Sequence, residues 1–542
     1  MLSWWTDPRG RLQRQREHPA DAEPHLHLRL DPPLEVLVLL DPGTTCWRME
    51  EAERAAIIID MADYFTAAKA AMRAARRSVH LVNWAFDPDT LFHPQPGGGG
   101  PDEDRIGPFL TRLADERPEM DVRVLCWKAS LPISATQNFF TLKARRCFAG
   151  SRVRFHLDGS LPFGAAHHQK MIIIDDHLVF CGGGDIGPDR WDTVRHRDDD
   201  PRRFRRGRKC YASRHELMMA LQGAPARALG ELFRDRWRRA TGEEIRAAPG
   251  DTGAALWPAC LEARFGAVTT GISRTRSRYG DLAEIRESEA LFLAMIARAK
   301  RRIYLENQYM TSPILAEALA ARLAEKDGPE VILVSTLHCP SWFDQMTMDR
   351  TRSAFIGRLE LANVHRRLHA YCPVTSGGRI IIVHAKVAII DDDLLRIGST
   401  NLNNRSCGFD TECDVTLEAT GGGAMQARRE IARVRSDLVA HWLGVASEVL
   451  DRAVDRAGGL GAAIEMLQAG GQPRLRRLGP KQLGPLATFI ASHHIGDPIG
   501  PADAWRPWRR RRDMEAALAR QKAALARADL PAPAAEGVRE VV

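Results

Sequence analysis

The chain lacks the cysteine and metal-binding patterns on which many cofactor sites depend. Its ten cysteines are scattered, without a C-x-x-C pair or a compact His/Cys cluster. This spacing argues against a zinc site and against a disulfide framework. No EF-hand loop and no glycine-rich nucleotide cradle occurs in the sequence either. We therefore predict a function that requires neither a metal ion nor a cofactor.

Long hydrophobic runs are absent as well. No window reaches 18 apolar residues, and the N-terminal residues do not follow the pattern of a signal peptide. The sequence therefore predicts a cytoplasmic protein that is at most peripheral to a membrane. The net charge of +8 suits a phosphodiester substrate or an anionic membrane surface, and it does not separate lipid from nucleic acid.

The most informative pattern in the chain occurs twice with the same spacing. In the first copy, His168, Lys170 and Asp175 are followed by Gly182-Gly183-Gly184-Asp185. In the second copy, His384, Lys386 and Asp391 are followed by Gly398-Ser399-Thr400-Asn401. Two copies with one spacing predict a duplicated half of a single active site.

An apolar, largely β-branched run follows each lysine and predicts a strand buried on both faces. Because side chains alternate along a strand, His168 and Lys170 share one face, as do His384 and Lys386. Two ammonium groups can neutralise a phosphate while one imidazole attacks phosphorus and the other protonates the leaving oxygen. The alternative is a structural repeat of buried ion pairs, but such pairs seldom improve on apolar packing.

The two aspartates of the pattern lie far along the chain from the histidines. Asp175 and Asp391 each follow their histidine by seven positions, which is about 23 Å of extended strand. We therefore interpret both as groups that brace the strand exit. A direct catalytic role requires that the strand be broken.

These residues resemble the phospholipase D superfamily, whose signature is two H-x-K-x4-D motifs. The resemblance extends over roughly residues 50 to 445 and includes segments 182–192, 303–309, 398–406 and 410–412. It implies a phosphohistidine intermediate, with His168 as nucleophile and His384 as general acid and then base. It also implies lysines that hold the phosphoryl oxygens, and carboxylates downstream of each motif, Asp192 and Glu412, that hold the far nitrogen of each histidine. The predicted substrate-binding residues are Gly183, Asp185, Ser399 and Asn401.

Two positions of the first copy depart from the family pattern. Gly183 stands where many members have serine, so one hydroxyl donor is missing from that half. Asp185 stands where the second copy has Asn401, and a carboxylate there would repel phosphate unless a cation held it. We interpret Asp185 as a bracing group, and the neighbouring His167 as a polar residue at the strand entrance.

The repeat extends beyond the motifs and predicts the fold. Residues 71–83 align with 295–307, and 121–125 with 330–334, so the order helix, strand, helix, strand, strand, motif strand occurs twice. We predict an α/β protein of two similar phospholipase D-like α/β/α halves, with mixed β-sheets flanked by helices and the active site at the interface of the halves. The predicted domains are an N-terminal extension (1–50), a first half (51–249, motif 168–185), a second half (250–449, motif 384–401) and a basic helical C-terminal extension (450–542) with a disordered tail.

Two basic segments have alternative interpretations. Loop 202–209 is either a lid or headgroup contact, or a solvated charged loop. The cluster 505–512 contains two tryptophans and five arginines. It is either an anchor for lipid headgroups or the start of a solvated helix.

The function predicted from these observations is hydrolysis of glycerophospholipids to phosphatidic acid and free headgroup, with transfer to an alcohol as a further outcome. The alternatives are a phosphatidyltransferase such as a cardiolipin synthase, a nuclease of the same superfamily, or a catalytically silent lipid- or nucleic-acid-binding module. We predict a phospholipid substrate and contact with an anionic membrane surface rather than nucleic acid. Because both motifs lie in one chain, we predict activity as a monomer.

Overall fold

The computed structural model describes residues 5–6, 12–13, 39–129, 140–204, 210–248, 256–339, 341–504 and 506–528. Val38–Ala523 forms one compact unit, and Met1–Leu37 with Ala524–Val542 forms another. The second unit contains a pairing of β1 (Trp5–Thr6) with β2 (Leu12–Gln13). The domain limits predicted from the sequence stay predictions; the boundary near 249–255 and the tail after 528 lie outside the described residues.

The first half of the main unit alternates strands and helices. Its elements are β3 (Arg48–Ile59), α1 (Met61–Ala74), β4 (Ser78–Asn83), α2 (Ile106–Glu116), β5 (Asp121–Trp127), α3 (Phe140–Cys147), β6 (Arg154–Asp158), β7 (Met171–Ile174), β8 (Leu178–Gly182), β9 (Arg214–His215), β10 (Leu217–Gly223) and α4 (Ala224–Thr241).

The second half repeats this alternation and continues into a helical C-terminal region. Its elements are β11 (Val268–Arg276), β12 (Ile285–Arg286), α5 (Glu287–Arg298), β13 (Arg302–Asn307), α6 (Pro313–Ala324), β14 (Glu330–Val334), α7 (Trp342–Ala362), β15 (Leu368–Pro373), β16 (Ile382–Val383), β17 (Lys386–Ile390), β18 (Leu394–Gly398), β19 (Glu412–Glu418) and α8 (Ala424–Leu443). The C-terminal region contains α9 (Ser447–Ala457), α10 (Leu460–Gln468), β20 (Leu475–Arg477), α11 (Pro485–Ser492) and α12 (Pro507–Ala528).

The order of strands in the main sheet reflects the duplication. The first half runs β6-β5-β4-β7-β8-β10-β3, and the second half runs β15-β14-β13-β17-β18-β19-β11. In each half the first three strands are parallel and the others antiparallel. The halves join where β3 pairs antiparallel with β11. The predicted mixed α/β fold is confirmed, but the halves share one continuous sheet instead of having separate sheets.

The predicted order of elements omitted one helix in each half. α3 precedes β6, and α7 precedes β15, where the sequence had suggested strand following strand. Because β6 is parallel to β5 and β15 is parallel to β14, each pair requires a crossover connection, which is usually helical. α7 begins with the exposed Trp342 and Phe343, which blur the apolar stripe that would identify it.

The C-terminal region is integrated into the second half. β20 extends the sheet by pairing with β15, and Leu450, Leu460 and Ile464 are part of the main hydrophobic core. The Asp497 carboxylate accepts hydrogen bonds from the backbone N–H groups of Asn404 at 3.2 Å and Arg405 at 2.9 Å. This region therefore braces the loop that follows the second motif.

Candidate active site

Each motif is docked onto the opposite half of the chain. The backbone N–H of His168 donates to the carbonyl of Thr411 at 2.9 Å, and the N–H of Thr411 donates to Ala166 at the same distance. In the other half, the N–H of His384 donates to the carbonyl of His215 at 2.8 Å. Thr411 leads into β19 of the second half, and His215 leads into β10 of the first half. Because each motif is hydrogen-bonded to one of these segments of the opposite half, both histidines lie at the junction of the halves.

The imidazoles of the two motif histidines are each held by a different glutamate, which comes from the opposite half. Nδ1 of His168 lies 2.9 and 3.0 Å from the two carboxylate oxygens of Glu412. Nδ1 of His384 lies 2.7 Å from Oε2 of Glu216. A carboxylate that accepts the Nδ1 proton fixes the tautomer and leaves Nε2 with a lone pair. Both histidines are therefore oriented to use Nε2.

The structure corrects the prediction that Asp192 holds a motif histidine. Its carboxylate lies 2.9 Å from Nδ1 of His196 and accepts the backbone N–H of Arg214 at 3.0 Å. The residue that holds His384 is Glu216, which the sequence reasoning missed. The position of Glu216 in the repeat could have identified it, because Glu216 directly precedes β10 just as Glu412 begins β19. These strands are equivalent, since β10 pairs with β8 after the first motif and β19 pairs with β18 after the second.

The two motif lysines are buried beneath the histidines. Nζ of Lys170 donates to the carbonyl of His168 at 2.5 Å and lies 3.3 Å from Oδ2 of Asp185. Nζ of Lys386 donates to the carbonyl of His384. Arg190 and Arg214 lie 3.8 and 3.9 Å from Oε1 of Glu216 and add two cations to the same region. The site therefore gathers four basic side chains around the two histidines, with the Asp185 and Glu216 carboxylates among them.

Burial and this positive charge together keep the imidazoles neutral. Burial lowers the pKa of His168 well below its usual range, and Lys170 and Lys386 lower it further. Burial lowers the pKa of His384 in the same way, again with help from Lys386. Burial also lowers the pKa of Lys386 to about 7, and it raises that of Glu412 against the opposing effect of the Lys170 charge. A neutral imidazole is the form that can attack phosphorus.

The four residues predicted to bind substrate occupy different positions. Asp185 accepts the backbone N–H groups of Trp84 and Ala85 at 3.0 and 3.2 Å and also lies beside Lys170, so its charge is compensated. Gly183 lies against the second motif, since a Cβ there would be 3.3 Å from the His384 carbonyl.

On the second motif, the Ser399 hydroxyl donates to the carbonyl of Cys413 at 3.3 Å and accepts its N–H at 3.0 Å. The backbone thus engages this hydroxyl, which the sequence had suggested as a phosphate donor. Asn401 is only 4% exposed, and its amide oxygen has no hydrogen-bond partner among the described residues. Of the two side chains, Asn401 is the one with an uncommitted polar atom.

The motif aspartates lie at the far ends of their strands. Asp175 accepts the backbone N–H groups of Arg76, Arg77 and Ser78 at 2.8, 2.7 and 2.7 Å. Asp391 accepts the equivalent groups of residues 300, 301 and 302 at 2.6, 2.7 and 2.7 Å. In both halves the aspartate therefore caps the entrance to the strand beside the motif strand, and these contacts brace the sheet.

An aromatic wall lies beside the first motif. The rings of Trp84 and His168 are 6.4 Å apart, and Trp84 stacks on Trp127 at 5.9 Å. Trp127 packs with Leu161 and Phe409 in a small apolar cluster next to the site. One side of the site is therefore apolar, opposite the charged lysines and arginines.

The remaining predicted features lie outside the site. His167 lies 2.9 Å from the Asp158 carboxylate and from the hydroxyl of Thr411. In the basic loop, Arg203 is buried and its guanidinium donates to the Ser213 hydroxyl, while residues 205–209 lie outside the described part of the chain. In the C-terminal cluster, the guanidinium of Arg510 is buried against the Asp503 carboxylate, and Trp505 is not among the described residues.

Comparison with known proteins identifies similar sequences with lipid-related names. Residues 292–434 match the family described as "Cardiolipin synthase, PLD-like domain". The chain is 22% identical to phospholipase D1 of Saccharomyces cerevisiae in an alignment of 450 residues that covers 64% of this chain and 26% of the yeast protein. It is 24% identical to cardiolipin synthase A of Salmonella paratyphi B over 272 residues, or 50% of this chain.

The chain spans about a quarter of the yeast relative and about half (48%) of the bacterial one. Among solved structures, phosphatidylserine synthase of Haemophilus influenzae aligns with a TM-score of 0.48 and 12% identity, covering 71% of this chain and 86% of that one. Within the described residues, no helix combines the length and apolar character needed to cross a bilayer.

The duplicated motif and the sequence matches both indicate similarity to phospholipase D and cardiolipin synthase. The matches include the second motif with its flanking helices. Together, the duplicated motif and these matches support membership of the phospholipase D superfamily.

Proposed function

We propose that this chain is a phospholipase D-type phosphodiesterase that cleaves glycerophospholipids through a phosphohistidine intermediate. The observation that carries the proposal is the pair of neutral, carboxylate-held imidazoles that two buried lysines flank at the junction of the halves. Superfamily members act on phosphodiester bonds, and the named relatives act on phospholipids. The aromatic wall at Trp84 and Trp127 offers an apolar surface for the glycerol and acyl part of a lipid.

The first step transfers the phosphatidyl group to the enzyme. The phosphodiester anion binds between Lys170 and Lys386, which offsets its charge. Nε2 of His168 attacks phosphorus while Glu412 stabilises the positive charge that develops on the ring. His384 takes up a proton from solvent at Nε2 when the anionic substrate binds. The bond from phosphorus to the headgroup oxygen then breaks, and that oxygen takes this proton. The bound anion raises the proton affinity of His384, and Glu216 stabilises its charged form.

The second step restores the enzyme. His384, now neutral, removes a proton from water, and the water oxygen forms a bond to phosphorus. The bond between phosphorus and Nε2 of His168 breaks, and phosphatidic acid leaves. An alcohol in place of water gives the phosphatidyl alcohol by the same route.

We assign the attack to His168 on two grounds. The family resemblance favours the N-terminal histidine as nucleophile. In addition, the side chain of His168 is 15% exposed, whereas that of His384 is 8% exposed, so the first ring is more accessible to an entering phosphate.

A substrate with a good leaving group tests the two roles. Phosphatidyl-p-nitrophenol needs no general acid in the first step, so His384→Asn should release a stoichiometric burst of nitrophenol and accumulate a phosphorylated peptide that contains His168. His168→Asn should release no burst. A burst in His168→Asn with none in His384→Asn would exchange the two roles, and no burst or phosphopeptide in either variant would exclude the two-step mechanism.

The second candidate function is transfer of a phosphatidyl group to a lipid alcohol, as in cardiolipin synthesis. The match of residues 292–434 to a family described by that activity favours it, as does the similarity to cardiolipin synthase A. Both functions share the first step and differ only in the acceptor.

Vesicle assays separate these candidates. Phosphatidylcholine, phosphatidylethanolamine and phosphatidylglycerol vesicles are incubated with and without ethanol, beside single- and double-stranded DNA. Phosphatidic acid that gives way to phosphatidylethanol supports the phospholipase. Cardiolipin from phosphatidylglycerol alone supports the transferase, and DNA cleavage without a lipid product would overturn both. Activity of the monomeric fraction in gel filtration tests whether one chain suffices.

A further inference from the structure

A second cluster of ionisable side chains, three of them buried and His441 half-buried, lies next to the catalytic site and takes no part in the proposed chemistry. Its members come from the loop between β3 and α1, the loop after the first motif, β9 and α8, and they are Asp60, His196, His215 and His441. Four potential ligand atoms, one from each residue, lie within 4.8 Å of one another. We refer to these residues as the Asp60 cluster.

The side-chain atoms that face one another in this cluster are unsatisfied. Oδ2 of Asp60, Nε2 of His196, Nδ1 of His215 and Nε2 of His441 make no hydrogen bond to any described residue. Nδ1 of His215 is 3.0 Å from Oδ1 of Asp60, and Nε2 of His196 is 3.4 Å from Oδ2, but neither contact has hydrogen-bond geometry. Several unpaired polar atoms that converge in a buried space are rare in native proteins and costly unless something binds between them.

The outer nitrogens of two of these histidines are held by carboxylates. Nδ1 of His196 is 2.9 Å from Asp192, and Nε2 of His215 is 2.9 Å from Glu306. Glu306 is itself fixed by the indole N–H of Trp442 at 2.9 Å. Histidines that bind a metal through one nitrogen usually give the other N–H to a carboxylate, which fixes the ring and strengthens the ligand.

We propose that the Asp60 cluster binds one Zn²⁺ ion in a closed, four-coordinate structural site. Three imidazole nitrogens and one carboxylate oxygen are ligands that zinc accepts at about 2.0–2.2 Å. Tetrahedral bonds of that length place neighbouring ligand atoms about 3.3 Å apart. The widest pair at 4.8 Å therefore has to close by about 1.5 Å, a shift within reach of side-chain rotation.

No sequence pattern indicates this site, because its ligands are spread over four separate elements without a recognisable spacing. The alternative occupant is a proton. The two nitrogens of His215 lie 3.0 and 2.9 Å from the Asp60 and Glu306 carboxylates, so this ring is the place where a proton would sit. A protonated His215 would pair with both carboxylates and leave the facing nitrogens of His196 and His441 without a partner.

The site lies where it can position the second catalytic histidine. The carbonyl of His215 accepts the backbone N–H of His384, and Oδ1 of Asp60 accepts the N–H of Glu216 at 3.1 Å. Glu216 in turn holds the imidazole of His384. Since His441 belongs to the second half, a zinc ion here also joins the two halves. These are positioning roles, because no member of the cluster touches the reacting atoms.

The test compares the unmodified chain with two histidine variants. His441→Gln removes one proposed ligand. His80→Gln is the matched control, because His80 is 2% exposed and lies 3.0 Å from the Asp121 carboxylate, outside the cluster. Zinc content is measured by mass spectrometry after exhaustive dialysis, and Zn²⁺ affinity by competition with a chelating indicator. Co²⁺ replaces Zn²⁺ so that its visible absorption reports the coordination geometry.

We expect one Zn²⁺ per chain in the wild type and in His80→Gln, the strong absorption of tetrahedral Co²⁺, and a fall in melting temperature with a chelator. We expect His441→Gln to bind Zn²⁺ at least about 100-fold more weakly and to show no chelator effect. If His441→Gln does not fold, Asp60→Asn provides the same comparison. The proposal is overturned if the wild type does not bind Zn²⁺ more tightly than about 1 μM, or if both ligand variants bind it as tightly as the wild type.

Discussion

The motif aspartates offer a sharp test of structure against catalysis. Asp175 is fully buried, and its carboxylate accepts three backbone N–H groups of the segment that enters β4. Asp175→Asn keeps the shape of the side chain and suits the positive φ of 51° at this position, which asparagine tolerates. The variant therefore removes the charge and replaces one acceptor oxygen by a donor.

The loss of folding stability expected for Asp175→Asn follows from these contacts. Oδ1 serves Arg77 and Ser78, so the amide oxygen of asparagine can retain both bonds, each weakened from charge-assisted to neutral strength. The amide NH2 then faces the N–H of Arg76 and loses the third bond. A loss of about 1 kcal/mol for each weakened bond and about 1–2 kcal/mol for the lost one gives about 3–4 kcal/mol. In a cooperative unit of several hundred residues this lowers the melting temperature by about 3–4 °C.

The assay measures unfolding and the activity of the folded fraction in parallel. Asp391→Asn is the matched control, since Asp391 makes the same three contacts but is itself only half-buried, so water can replace a lost bond there more easily than at the fully buried Asp175. We expect a smaller loss of stability, about 1 kcal/mol, for that variant. In both variants the turnover per folded molecule should stay within about threefold of the wild type. An Asp175→Asn protein of unchanged stability that has lost activity by two or more orders of magnitude would refute the bracing role.

Three further predictions concern the residues around the histidines. Burial gives Lys386 a pKa of about 7, so its charge is present below that pH and lost above it. The inhibition constant of orthovanadate should therefore rise about tenfold per pH unit above pH 7, and Lys386→Arg should flatten that rise. Glu412→Gln should lower turnover about 10²- to 10⁴-fold, and it should reduce the nitrophenol burst as His168→Asn does, without a matching loss of stability in urea unfolding. Gly182→Ala places a Cβ 2.4 Å from a backbone oxygen, whereas the nearest atom for Gly183→Ala is 3.3 Å away. Urea unfolding should therefore show a loss of about 2–3 kcal/mol for the first variant and below about 1 kcal/mol for the second, and equal losses would contradict this reasoning.

The sequence predicted those features that depend on local periodicity and on duplication. The buried strands after Lys170 and Lys386 and the pairing of each histidine with its lysine follow from alternation along a strand. The aligned segments 71–83 and 295–307 do form equivalent helix–strand units, α1–β4 and α5–β13. Such features need no knowledge of which distant segments meet.

The features that the sequence did not predict depend on contacts between distant segments. Asp192 matched the family pattern by position but packs on His196, while Glu216 reaches His384 only because residues 213–215 pair with residues 382–385 across the halves. The Asp60 cluster has the same origin, since His441 of the second half meets the three members from the first half only when the halves assemble. Neither periodicity nor spacing within one segment carries this information.

The exchange of glutamates between the halves explains why the site needs both of them. Each half contributes a motif histidine whose orienting carboxylate belongs to the other half. Neither half alone therefore contains a motif histidine together with the glutamate that orients it. The same assembly buries Lys170 and Lys386, and burial lowers the pKa of Lys386 to about 7 because it disfavours the charged form. Under the proposed function, a phosphodiester that enters the site would bring a negative charge beside these lysines, so part of the free energy lost in burying the Lys386 charge would be recovered when substrate binds. Burial of these lysines, which is costly for the folded chain alone, would then favour the binding of an anionic phosphate.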